Sequence, residues 1–201
     1  MKVNGIIACA AVVAMAGSAF AGGLKIGDKA PASSVKMKNV DGSEVSIADV
    51  AGKEGTLVIF SCNHCPFVKA WEGRITEISN AYKDKGIGVI IINSNDPTEY
   101  AEDSFAEMQK RAEKLGLKAP YVVDATSDVA RAFDATRTPE AFLFDKDGKL
   151  VYHGAIDDSK KASDVEKHFL RDALDALIAG KSVTVQETKF VGCGIKFRPK
   201  A

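Results

Sequence analysis

Two cysteines three apart, Cys62 and Cys65, close an apolar run in the stretch FSCNHCPFVKAW, Phe60 to Trp71. Asn63 and His64 lie between them and Pro66 follows. Thiols at this spacing can form a reversible disulfide, supply half of a metal site, or make a structural crosslink. Cys62 falls where an apolar strand stops and a helix begins. Unpaired backbone N–H groups and the positive end of the helix dipole favour thiolate over thiol there. The pattern therefore predicts a lowered pKa for Cys62 and makes it the attacking sulfur. Cys65, one turn further in, closes the disulfide from a less exposed position. Asn63 and His64 fill the gap and so tune the couple. A charged His64 would stabilise the reduced form and make the pair more oxidising; the alternative is an ordinary exposed histidine. Pro66 sits in the first helical turn, where its missing N–H costs little.

The elements that must hold this dithiol follow from periodicity. TLVIFS, residues 56–61, is a short β-branched run and reads as a buried strand. After Cys65 the period changes: Phe67, Trp71, Ile75, Ile78 and Tyr82 mark one face of a helix, with Gly86 as its stop. IGVIIINS, 87–94, is a second buried strand. A helix is expected over DPTEYAEDSFAEMQKRAEKLG, with Asp96 as cap and Pro97 first. In this reading INSND is a strand-to-helix cap, and the charges of EDSFAEMQKRAEK are a solvated helix face. PYVVD is a third strand, SDVARAFDA a short helix capped by Ser127, and AFLF with LVYHG a hairpin turned by DKDGK. ASDVEKHFLRDALDALIAGK reads as a closing amphipathic helix, with Val165, Phe169, Leu174, Leu177 and Ile178 mostly on one side. GGLKIGDKAPAS is an extended opening segment, and VSIADVAGKEG a weak strand or turn followed by a loop. Alternating strands and helices imply a sheet with helices on both faces, completed by antiparallel strands. Ligand chemistry in such sheets sits at the carboxyl ends of strands, where SCNHC lies.

Composition narrows the setting. Lys2, the apolar run Ile6 to Ala16 and the small residues of AFA, 19–21, have the layout of a signal peptide cleaved after Ala21, too short to span a bilayer. Residues 22–180 then form one domain, and 181–201 a C-terminal extension carrying Cys193. The protein is expected in the periplasm or otherwise exported. One of the 27 basic residues lies in the leader, which leaves 26 against 27 acidic ones. With no basic patch, nucleic acid and anionic membranes are poor partners, and the mature chain has no segment for membrane insertion. Of the four cysteines, removal of Cys9 with the leader leaves three. An odd number in an oxidising compartment implies a thiol that is free, transient or paired with a partner. Cys193 lies between glycines in FVGCGIKF. It either folds back to resolve a mixed disulfide, serves as a third metal ligand, or is a small buried thiol.

A Cys-x-x-Cys after an apolar strand, with RTPEAFLFDKDGKLVYHG roughly 75 residues on, resembles the thioredoxin-fold superfamily. The similarity is closest to its redoxin branch, the peroxiredoxin-like and exported thiol–disulfide proteins, and runs from about Ile26 to Ile178. The resemblance implies an α/β thioredoxin-like fold with a central mixed sheet and helices on both faces. It also implies that Pro139 is a cis-proline facing the dithiol and that Thr138, before it, binds extended substrate backbone. Two departures stand out. The peroxidase pattern P-x-x-x-T-x-x-C has Gly55 and Ile59 at its Pro and Thr positions when counted back from Cys62. The buried acid of thioredoxin, six residues before the first cysteine, is Thr56 here, so proton transfer to Cys65 needs water or another group.

These observations predict an exported thiol–disulfide oxidoreductase that exchanges disulfides with protein substrates through Cys62 and Cys65. A partner protein must reset the couple, since no cofactor site is visible. Two alternatives remain. One is a peroxiredoxin-like thiol peroxidase, with Cys65 or Cys193 resolving a sulfenic acid. The other is a copper- or zinc-binding module using Cys62, Cys65, His64 and Cys193, although a lone Cys-x-x-Cys is a weak zinc signal.

Overall fold

A computed structural model describes residues 23–200. The expected signal peptide, 1–21, lies outside the described residues, as does Cys9. Among the described residues no helix is long and apolar enough to cross a membrane.

The strands are β1 (Met37–Asn39), β2 (Glu44–Val45), β3 (Gly55–Phe60), β4 (Ile87–Asn93), β5 (Tyr121–Val123), β6 (Arg137–Thr138), β7 (Glu140–Asp145), β8 (Leu150–Gly154) and β9 (Cys193–Gly194). The helices are α1 (Pro66–Lys83), α2 (Phe105–Leu115), α3 (Asp128–Phe133) and α4 (Phe169–Ile178). Seven strands form one sheet in the order β2-β1-β5-β4-β3-β7-β8, while β6 and β9 pair separately. β3, β4 and β5 run parallel; β7 joins β3 antiparallel, and β1 joins β5 antiparallel. The expected mixed sheet with a closing hairpin is therefore present.

The central strands are buried on both faces, and their side chains divide with a period of two. Leu57, Ile59, Val89, Ile91, Ala141 and Leu143 join a core with Trp71, Ile75, Ile78 and Tyr82 of α1, Met108 of α2, and Leu170 and Leu174 of α4. Val58, Phe60, Ile90, Ile92, Phe142 and Phe144 join the opposite core with Val129 and Phe133 of α3. There Phe133 meets Phe60, Phe142 and Phe144 edge-on, with centroids 5.2–6.0 Å apart, the geometry that suits the aromatic quadrupole. Helices thus cover both faces and fix the end of β3, where the dithiol begins.

Two expectations need correction. Asp96 does not begin a long helix: its carboxylate accepts from the Thr98 N–H (2.9 Å) in a turn, Ala101–Asp103 forms one 3-10 turn, and α2 starts at Phe105. The reason is Asp103, which is buried and bonded beneath the dithiol loop. The final helix begins at Phe169, so Val165 lies before it, beyond a 3-10 turn at Ala162–Asp164. After the opening segment, β1 and β2 form a hairpin that extends the sheet, and β1 falls in a stretch to which the sequence reading gave no element.

Candidate active site

β3 ends at Phe60 and α1 starts at Pro66, so residues 61–65 form the link that carries both thiols. Cys62 and Cys65 are 2% and 0% exposed. The Thr138–Pro139 peptide bond is cis. Cys62 Sγ lies 3.1 Å from Thr138 Oγ1, and Cys65 Sγ lies 3.4 Å from the Thr138 carbonyl oxygen. Glu140 holds this loop in place. One of its carboxylate oxygens accepts from the Thr136 and Arg137 N–H groups (2.9 and 3.0 Å), and the other lies 2.8 Å from His153 Nε2. His153 stacks on Phe142 and braces Glu140.

Cys193 is brought to the same place. Its Sγ is 2.7 Å from Cys65 Sγ, and it packs on the small cluster of Cys62, Cys65 and Val68. The reduced site is therefore a set of three thiols. Its ionisation differs from the expectation for Cys62. Cys65 is lowered, chiefly by the hydrogen bond from Cys62, with a further one from Cys193, against the cost of burial. Cys62 is raised by giving its proton to that bond, by burial, and by the negative Asp103 nearby. Cys193 is pushed up to about 11 by burial and by its bond to Cys65. Position contributes as well: α1 begins at Pro66, so Cys65 is the residue at the helix N-cap, and the Val68 N–H adds to its stabilisation. Both thiols of the pair are buried.

His64 and Asn63 face inward. The His64 side chain is only 8% exposed, stacks on Tyr100 with centroids 3.8 Å apart, and has Nδ1 2.6 Å from Asp103 Oδ2. Asn63 donates from its backbone N–H to Asp103 (2.6 Å) and from its side chain to the Glu102 carbonyl (2.7 Å). Its side-chain oxygen accepts from Tyr121 Oη (3.0 Å), and burial raises that phenol well above its ordinary value. Asn93 and Asn95 complete the surroundings of Asp103 at 3.3 and 2.9 Å. The segments read as a simple cap and a solvated face thus supply the polar floor of the site. Asp103, Asn93, Asn95, Tyr100 and Tyr121 were not singled out; the adjoining runs INSND and EYAED, polar residues directly after a buried strand that ends beside SCNHC, were the available signal.

Donor atoms of Cys62, His64 and Asp103 all lie within 4.8 Å of one another, the one such group of three among the described residues. Asp103, however, already receives four donors, which fills the lone pairs of a carboxylate. A metal here would have to displace them and rely mainly on sulfur. Beside Pro139 a cavity of about 230 Å³ is lined by Trp71, Ile156, Phe190 and Val191.

The comparisons agree with this architecture. The solved structure of an uncharacterised conserved protein from Geobacillus kaustophilus is 41% identical, with a TM-score of 0.83, covering 89% of this chain and 95% of that one. A hypothetical protein from Sinorhizobium meliloti 1021 is 31% identical, with a TM-score of 0.81, covering 88% and 97%. The thiol–disulfide oxidoreductase ResA of Bacillus anthracis is 27% identical over 128 residues, 64% of this chain and 68% of that protein. The expected redoxin-branch thioredoxin-like fold is borne out, and the family model named Redoxin matches residues 25–168: the chain belongs to the Redoxin family.

Proposed function

We propose that this protein is an exported thiol–disulfide oxidoreductase that exchanges disulfides with protein substrates through Cys62 and Cys65. The observation that carries the reading is the placement of both sulfurs within 3.4 Å of Thr138, at the cis Thr138–Pro139 step. ResA relatives named as thiol–disulfide oxidoreductases support the activity. The leader-like segment supports export.

In the oxidising direction, a substrate thiolate attacks Cys62 of the Cys62–Cys65 disulfide and Cys65 leaves as thiolate. A sulfur with a lowered pKa leaves faster, and Cys65 is the one lowered. A second substrate thiolate then attacks the substrate sulfur of the mixed disulfide. Cys62 is released as thiolate and the substrate keeps the new disulfide. In the reducing direction the same steps run backwards, and Cys65 displaces the substrate from Cys62. The protein ends oxidised or reduced by two electrons in each case, and a partner protein restores it. Asn63 and His64 tune the couple by fixing the loop on Asp103, and Thr138 with Pro139 holds the substrate backbone.

Mixed-disulfide trapping tests the reading. Cys65→Ser should accumulate a covalent complex through Cys62 with a disulfide-bonded model protein, released by dithiothreitol. Cys62→Ser should form no such complex. Absence of trapping by Cys65→Ser, with Cys193 also replaced, would overturn the reading.

A further inference from the structure

The strand β9 lies where the reading above puts substrate. Thr138 pairs in antiparallel register with Cys193, and Arg137 with Gly194. The Ile195 N–H donates to Thr136 O (3.0 Å), and Arg137 Nη1 donates to Gly192 O (3.0 Å). The tail is fastened on both sides of this crossing. Before it, the Thr188 N–H donates to His153 O (3.1 Å), and Thr188 Oγ1 accepts from the Ala155 N–H (2.9 Å). After it, the Lys196 N–H donates to Asn95 Oδ1 (2.8 Å), and the Asp96 N–H to Lys196 O (2.7 Å). Gly192 permits the close approach, because a Cβ there would stand 2.3 Å from Thr138 O. Between these anchors Cys193 reaches Cys65, not Cys62.

We infer that the C-terminal segment is a built-in substrate strand, and that Cys193 forms an alternative disulfide with Cys65 that locks it over the dithiol. The inference rests on the Thr138–Pro139 edge being the substrate-binding edge. Starting from the Cys62–Cys65 disulfide, the Cys193 thiolate attacks Cys65 Sγ. The Cys62–Cys65 bond breaks as the Cys65–Cys193 bond forms. Cys62 leaves as thiolate and takes up the proton that Cys193 gave, so no electrons are gained or lost. Attack by Cys62 on Cys65 reverses the step. The covalently closed form keeps Cys62 reduced beneath the tail while blocking the Thr138 edge. A protein substrate engages only when the tail lifts away.

The test uses the full-length chain, oxidised with one equivalent of diamide, acid-quenched, alkylated and mapped by mass spectrometry. Wild type should yield a Cys65–Cys193 linked peptide with an alkylated Cys62. Only Cys62–Cys65 linkage in wild type would overturn the inference. In the reduced protein, Gly192→Ala should lift the tail and raise the alkylation rates of Cys62 and Cys65 about tenfold, as expected for weakened local closure. Cys193→Ser, which keeps Gly192, should retain most of the protection while losing the linkage. Protection in Gly192→Ala equal to wild type would count against the strand role. If the trapping assay fails while the Cys65–Cys193 peptide is present, the proposed oxidoreductase function fails and the disulfide stands. If trapping succeeds without that peptide, the reverse holds.

Discussion

Asp103 gathers four donors on one buried carboxylate, and each partner loses its acceptor if the group is removed. Asp103→Ala should therefore lower stability by about 2–4 kcal/mol, since unsatisfied buried donors are expensive; urea unfolding measures it, and a loss below 1 kcal/mol would mean that water or rearrangement replaces the network. Asp103→Asn removes the charge that helps raise Cys62. Thiolate absorbance near 240 nm should then show the higher-titrating thiol of the pair moving down in pH, and an upward move would contradict the charge effect. Cys65 gives a stability prediction whose sign follows from its direction. Its folded pKa is lowered, so its contribution is present above the ordinary thiol range, about 8.5, and lost as pH falls through the lowered value. Cys62 and Cys193 are raised, so their contributions are lost as pH climbs above that range. The stability advantage of the reduced wild type over Cys65→Ser should thus grow from mildly acidic pH towards pH 8 and shrink beyond it. A flat difference across that interval would argue against a Cys65 thiolate. At this scale the pairing of Cys62 with Cys65 was legible from its spacing, and the cis Thr138–Pro139 step only through the resemblance to thioredoxin-fold proteins. The lowering of Cys65 was not, because it comes from contacts with Cys62 and Cys193 that only the folded chain brings together.

The element that sets the site is α1, and a buried group fixes its orientation. Trp71 Nε1 donates to Asp157 Oδ1 (2.7 Å), and Arg74 Nη1 pairs with Asp157 Oδ2 (2.9 Å). Asp157 is 4% exposed at its side chain and Arg74 17%. Removal of one partner from such a pair typically costs about 3–5 kcal/mol, so Asp157→Ala should be strongly destabilising in urea unfolding; a loss under 1 kcal/mol would show that solvent already compensates. Central strands and α1 were readable because burial on two faces leaves continuous apolar runs, and one-sided burial leaves a 3.6-residue period. The region 96–104 misled because Asp96, Pro97 and the acids after them imitate a helix start, whereas Asp103 is drawn inward by partners from β4 and the dithiol loop. Val165 fitted the helical stripe of α4 by spacing alone, and the preceding 3-10 turn breaks that phase.

For the whole molecule, a return of Cys193 to the dithiol was among the readings the sequence left open, while the path of the tail was not legible. Antiparallel pairing of residues 193–194 with 137–138 joins segments too far apart for local periodicity to reveal. Only the glycines around Cys193 hinted at a close backbone approach, and one of them, Gly192, makes it. Three sulfurs, a polar floor on Asp103 and a strand across Thr138 all serve one claim: Cys62 and Cys65 form a reversible two-electron couple. Its reduction potential, measured in defined glutathione buffers with mass-spectrometric counting of disulfides in Cys193→Ser, is the most direct test. The account predicts one reversible two-electron transition within roughly −120 to −270 mV, the span of thiol–disulfide exchange proteins. Failure of the two sulfurs to bond, or a bond that resists reduction below about −300 mV as structural disulfides do, would contradict it.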